Sequence, residues 1–153
     1  MTGPLWRPVK GHGGDASLVR LIEAVSRSGV TGISDFDSLH RFSIEQPAAF
    51  WSLFWDFSGV IGEKGAAPFL VDEDKMPGAR FFPAGRLNYA ENLLRRSDDA
   101  TALVFRGEDK VRREVSWAAL GRQVARFAEL YQAAGVKAGD RVAALMPNMP
   151  EAI

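Results

Sequence analysis

The sequence has no cysteine among its 153 residues, and histidine occurs only twice. Without cysteine the chain can form no disulfide framework, no thiolate zinc site and no cysteine nucleophile. No stretch approaches the ~20 apolar residues of a membrane span, and the first residues lack the apolar core of a secretory signal. These absences predict a cytoplasmic protein that has no membrane partner.

An excess of charge of one sign is also missing, because 19 basic residues balance 19 acidic ones. No global field would therefore attract nucleic acid or an anionic membrane. Arg112 and Arg113 form a small basic patch, which we interpret as the solvated end of a strand. With 46% hydrophobic and 25% charged residues, the composition is typical of a soluble globular domain.

Two short segments invite a ligand interpretation. Gly11-His12-Gly13-Gly14 contains the glycines of a phosphate loop, but no strand precedes it, so we interpret residues 1–14 as a flexible arm. The acidic run at residues 72–74 lacks the spread of carboxylates that a calcium loop needs. His40 and His12 fall short of the three or four converging ligands of a metal site. The sequence therefore predicts no metal site.

Three helices are predicted in the N-terminal part of the chain. The first spans Asp15 to Ser28 and is capped by Asp15. The second opens at residues 34–37, where Ser34 and Asp37 stand at capping spacing. The third begins at Pro47 and is apolar almost all round, which predicts burial on more than one side. Its aromatic rings could line a cofactor pocket, but packing alone explains them.

Shorter elements are predicted between this region and residue 98. Phe69 to Val71 has the composition of a short strand. Asn88 can cap a helix from Tyr89 to Arg95 that turns Tyr89 and Leu93 inward. We place a domain division at the acidic pair of residues 98 and 99.

A hairpin, a helix and a further strand are predicted after this division. The hairpin joins Ala100–Phe105 to Val111–Val115 and leads into a helix that Ser116 caps and Gly135 ends. A buried face on this helix is predicted from apolar side chains at steps of three and four residues, namely Trp117, Leu120, Val124, Phe127, Tyr131 and Ala134.

The strand predicted at Arg141–Met146 is apolar from Val142 onward without alternation. This pattern is typical of a strand covered on both faces, as in a parallel sheet. Only the preceding hairpin is available to pair with it, and residues 148–151 resemble the start of a further helix. We therefore expect an α/β domain that is cut short.

Three runs together resemble a known family: GVKAGDRVAALMPNMPEA at residues 135–152, SLHRFSIEQPAAFW at 38–51 and MPGARFFPAGRLNYAENLL at 76–94. The first is similar to the opening of the large domain of adenylate-forming acyl-CoA synthetases. The other two are similar to the N-terminal region of the acetyl- and acetoacetyl-CoA synthetase branch, and the last is most similar to its acetoacetate-activating members. The order Ala84-Gly85 departs from the expected Gly-Ala.

The resemblance implies an α/β fold in which a helical N-terminal region packs on the beginning of a large AMP-binding domain. Residues 1–14 would be an arm, 15–97 the helical region and 98–153 the incomplete start of the AMP-binding domain. It also implies an acid–thiol ligase. A carboxylate attacks the α-phosphate of ATP to give an acyl-adenylate and pyrophosphate, and coenzyme A then displaces AMP. ATP, magnesium and coenzyme A would serve the complete enzyme.

The motifs that such chemistry needs are absent from the 153 residues. There is no Ser/Thr/Gly-rich loop ending in lysine to hold phosphates, and no acidic motif for magnesium and ribose. We therefore predict no catalytic, cofactor-binding or metal-binding residue here, and we expect the chain alone to be inactive. Two alternatives stay open: a non-catalytic interaction module that uses the aromatic helix at residues 47–57, and an acetyl- or propionyl-CoA synthetase.

Overall fold

The computed structural model describes residues 16–108 and 110–153. The chain forms two compact units, one ending at Asn88 and the other beginning at Tyr89. The predicted arm at residues 1–14, with its glycine-rich segment, and the predicted cap Asp15 lie outside the described residues.

Three helices make up the first part of the N-terminal unit: α1 (Ser17–Arg27), α2 (Phe36–Glu45) and α3 (Pro47–Ser58). The position before α1 is Ala16, which offers no side-chain cap. A capping box starts α2, but it is formed by Asp35 and Ser38, so the predicted role of Ser34 is wrong. Pro47 stands in the first turn of α3 as predicted, because a missing N–H costs nothing there.

The core of this unit lies between α1 and α2. Leu21, Val25, Leu39 and Phe42 are buried together, and half-buried rings of α3 pack against them. None of the residues in α3 is itself buried, so the prediction of burial on more than one side is too strong. The reason is that each aromatic row of α3 has contacts, but each remains open to solvent along part of its length.

Two small antiparallel pairs follow α3: β1 (Gly62–Glu63) with β4 (Arg86–Leu87), and β2 (Leu70–Val71) with β3 (Arg80–Phe81). The strand predicted at Phe69–Val71 corresponds to β2. The other three strands are too short to produce a recognisable alternation. Gly65 has a φ of 76° in the connection after β1, a left-handed conformation that glycine adopts without steric cost.

The second unit contains α4 (Tyr89–Leu93), β5 (Thr101–Gly107), β6 (Val111–Ser116), α5 (Trp117–Ala133) and a 3-10 turn at Pro150–Ala152. β5 and β6 form the predicted hairpin, with an irregularity in register between Thr101 and Leu103. Gly135 has a φ of 80° just after α5, as predicted for a helix end.

Three predictions for this unit are wrong. Tyr89 and Leu93 are exposed rather than turned inward. The predicted buried face of α5 is buried only at Leu120 and half-buried at two of its other positions; from Phe127 onward it is exposed. The stretch 141–146 is not a strand, because no strand of the described residues pairs with it. At the predicted start of a further helix, a 3-10 turn begins after Met149, with Pro150 and Glu151 in its first turn and no side-chain cap.

Candidate functional site

Among the described residues considered for metal binding, His40 and Asp72 each have contacts of their own. His40 stacks on Phe36 with ring centroids 5.8 Å apart. Asp72 accepts a hydrogen bond of 2.9 Å from Lys75 and lies 3.6 Å from the Arg80 guanidinium. Within residues 16–108 and 110–153 no three histidine or acidic side chains converge. The acidic run is a loop whose first carboxylate is neutralised by two neighbouring cations.

The aromatic rings of α3 make their contacts within the N-terminal unit. Phe50 stacks on Phe54, and this row faces the core between α1 and α2. In the other row, Trp51 packs edge to face on Phe81 with ring centroids 5.6 Å apart. The ring centroids of Trp55 and Phe82 are 4.7 Å apart. These rings are packing elements of the unit, which weakens the interpretation of α3 as a free docking helix.

In the second unit, the start of α5 is fixed by short-range hydrogen bonds. The Ser116 hydroxyl accepts from the backbone N–H of Ala119 at 3.2 Å, which is the predicted cap. The N–H of Trp117 donates to the carbonyl of Ala100, and the N–H of Ala118 donates to the carbonyl of Asp98. The helix therefore starts in a defined orientation on the hairpin.

The Asp98 side chain links the segment after α4 to the start of the first strand of the hairpin by hydrogen bonds. Its carboxylate accepts two hydrogen bonds of 2.9 Å from Arg96 and a third from the N–H of Ala100. These bonds lower the pKa of Asp98, and the hydrogen bonding from Arg96 has the largest effect. The Arg96 guanidinium also lies 5.6 Å from the ring centre of Trp117, a cation–π distance. This cluster supports the hairpin and α5 from one side.

An apolar groove of about 640 Å³ runs along α5 in this unit. One wall is α5, with Leu120, Val124 and Phe127. The other wall is formed by Val142, Ala144 and Met146 and by residues 150–153. Gln123, Tyr131 and Glu151 are the lining residues that carry polar groups on their side chains. The groove is the space between these two walls.

Arg113 and Glu151 hold the far wall of this groove. The Arg113 guanidinium donates two hydrogen bonds of 2.7 Å to the two carboxylate oxygens of Glu151. The bonds raise the pKa of Arg113 and lower the pKa of Glu151, because they favour both charged forms. Arg113 also lies 5.4 Å from the ring centre of Phe105. The final turn is thus tied to the middle of the hairpin.

The backbone of residues 141–148 is unpaired. Its N–H and carbonyl groups make no hydrogen bond to the part of the chain that the structure describes. Val142, Leu145 and Met146 are exposed. Sequence reasoning found this segment through its apolar run but assigned it a strand, which requires a partner. Neither the groove nor the Arg113–Glu151 pair has a local signal in the sequence.

Across the described residues, none of the helices combines the length and apolar character needed to cross a bilayer.

Known proteins match this chain over nearly its whole length. The sequence profile of AMP-binding enzymes matches residues 90–153. Acetoacetyl-coenzyme A synthetase of Rhizobium meliloti (strain 1021) is 44% identical over 150 residues. Acetoacetyl-CoA synthetase of Macaca fascicularis is 35% identical over 153 residues. The solved structure of acetoacetyl-CoA synthetase from Streptomyces lividans superimposes with a TM-score of 0.81 at 35% identity. The chain is thus similar, in sequence and in structure, to the N-terminal part of acetoacetyl-CoA synthetases.

The match covers 97–98% of this chain but only 22–24% of the length of these three proteins. The Streptomyces lividans structure confirms the expected fold class, a mixed helix and strand fold of the AMP-binding enzymes. The unpaired segment at residues 141–148 and the groove beside it lie within the part that the AMP-binding profile matches.

Proposed function

We propose that this chain is the N-terminal part of an ATP-dependent acetoacetate–CoA ligase. The complete enzyme would convert acetoacetate, ATP and coenzyme A to acetoacetyl-CoA, AMP and pyrophosphate through an acyl-adenylate. The observation that supports this best is the match to acetoacetyl-CoA synthetase from Streptomyces lividans, which extends over 98% of the chain at 35% identity.

Within such an enzyme, this chain would serve as a structural part. Magnesium needs clustered carboxylates, and no three histidine or acidic side chains come together in the described residues. The groove along α5 is apolar in its walls, which does not fit a triphosphate. We therefore propose that ATP, magnesium and coenzyme A are bound by other parts of the enzyme.

The domain organisation expected from the sequence belongs to this proposal. Residues 15–97 would form the helical region particular to this branch, and residues 98–153 would begin the AMP-binding domain. The matched AMP-binding profile, which begins at residue 90, supports a division in this neighbourhood. Residence in the cytoplasm also belongs to the proposal and is supported by the lack of cysteine.

A chimeric enzyme tests the role of the chain directly. The matching segment of the Rhizobium meliloti enzyme is replaced by this 153-residue chain. We expect pyrophosphate release that depends on acetoacetate, at a rate comparable with that of the parent enzyme. A folded chimera without activity would contradict the proposal and favour a non-catalytic interaction module. The 153-residue chain, assayed alone with all substrates, should release no pyrophosphate above the buffer rate.

The acyl substrate needs a separate test, because a chimera takes most of its sequence from the other enzyme. The protein encoded by the complete reading frame that contains this chain is assayed with acetoacetate, acetate and propionate. Acetoacetate should give the largest kcat/KM. A preference for acetate or propionate would still support a ligase, but would identify it as an acetyl- or propionyl-CoA synthetase.

A further inference from the structure

We draw no further inference here: the strongest candidate, the exposed face of α2 that carries Phe36, His40 and Ile44, carries no proposal because nothing in the structure shows what covers it.

Discussion

Arg113 and Glu151 are joined by two parallel hydrogen bonds of 2.7 Å, although 38 positions separate them in the sequence. The pair connects the second strand of the hairpin to the turn that closes the groove along α5. A guanidinium and a carboxylate in this paired geometry are oriented as well as attracted, which a single lysine contact would not achieve. The position of the far wall therefore depends on two side chains at the protein surface.

The turn at residues 150–152 should be released at low pH. Because the folded-state pKa of Glu151 lies below its ordinary value, the contribution of the ion pair is complete above the ordinary glutamate pKa of about 4.3. It is lost as the pH falls through the lower, folded-state pKa. The amide resonance of Ala152, followed by NMR in a pH titration, should shift in that window. Glu151→Gln should abolish the shift.

The neighbouring pair in the same hairpin provides the control for this prediction. Arg112 donates a hydrogen bond of 3.0 Å to Glu114 within one strand, rather than to the final turn. Arg112→Gln should therefore leave the titration of the Ala152 amide as it is. If the pH-dependent shift of the Ala152 amide persists in Glu151→Gln, another carboxylate controls the turn.

Gly65→Ala should destabilise the N-terminal unit more than Gly29→Ala. Both glycines have positive φ, 76° and 94°, so an alanine meets a similar conformational penalty of about 1 to 2 kcal/mol at either site. A Cβ at Gly65 would also lie 2.6 Å from backbone atoms of Ala84, whereas one at Gly29 meets nothing within 4 Å. The contact at Gly65 should add about 1 to 3 kcal/mol. Denaturant unfolding followed by circular dichroism should separate the variants, and equal midpoints would contradict the crowding at Ala84.

Elements with local determinants were predictable from the sequence. Ser116 caps α5, Pro47 begins α3 and Gly135 ends α5, and each acts on backbone groups within a few positions of itself. The stretch 141–146 was not predictable in this way. Its apolar pattern indicates a strand, but a strand forms only where a partner pairs with it. That pairing depends on residues distant in sequence.

The candidate site shows the same limit. The groove requires α5, the segment after it and the Arg113–Glu151 pair to come together, and no local pattern encodes the distance between them. The exposure of Tyr89 and Leu93 has a related cause. A helical pattern indicates which side chains share a face, but it does not indicate whether anything covers that face.

The cap of α5 should contribute measurably to the second unit. Ser116→Ala removes the acceptor for the Ala119 N–H, and the loss of such a cap costs about 1 kcal/mol. Ser43→Ala is the matched control, because the Ser43 hydroxyl donates to the His40 carbonyl inside α2 and caps nothing. Hydrogen exchange of amides in the first turns of α5 should accelerate only in Ser116→Ala. Equal acceleration in both variants would show that the effect is not due to the cap.

Phe42→Ala should destabilise the N-terminal unit more than Trp55→Ala, although tryptophan is the larger residue. Phe42 is only 4% exposed and belongs to the core between α1 and α2. Its removal leaves a cavity, at a cost of about 3 to 5 kcal/mol. Trp55 is half-buried beside Phe82. The loss of its contact area should cost about 1 to 2 kcal/mol, since solvent can enter the space.

The comparison is made by hydrogen exchange of α1 amides, which reports the unit that contains both side chains. Phe42 lies in α2 and Trp55 in α3, so the two variants test whether burial or ring size determines the stability of the unit that contains both helices. If ring size dominated, Trp55→Ala would have the larger effect, and the partial exposure of α3 would have to be rejected. If burial dominates, Phe42→Ala accelerates exchange throughout α1 while Trp55→Ala has a smaller effect. In that case the core is the four-residue cluster between α1 and α2, and α3 is a half-covered layer upon it.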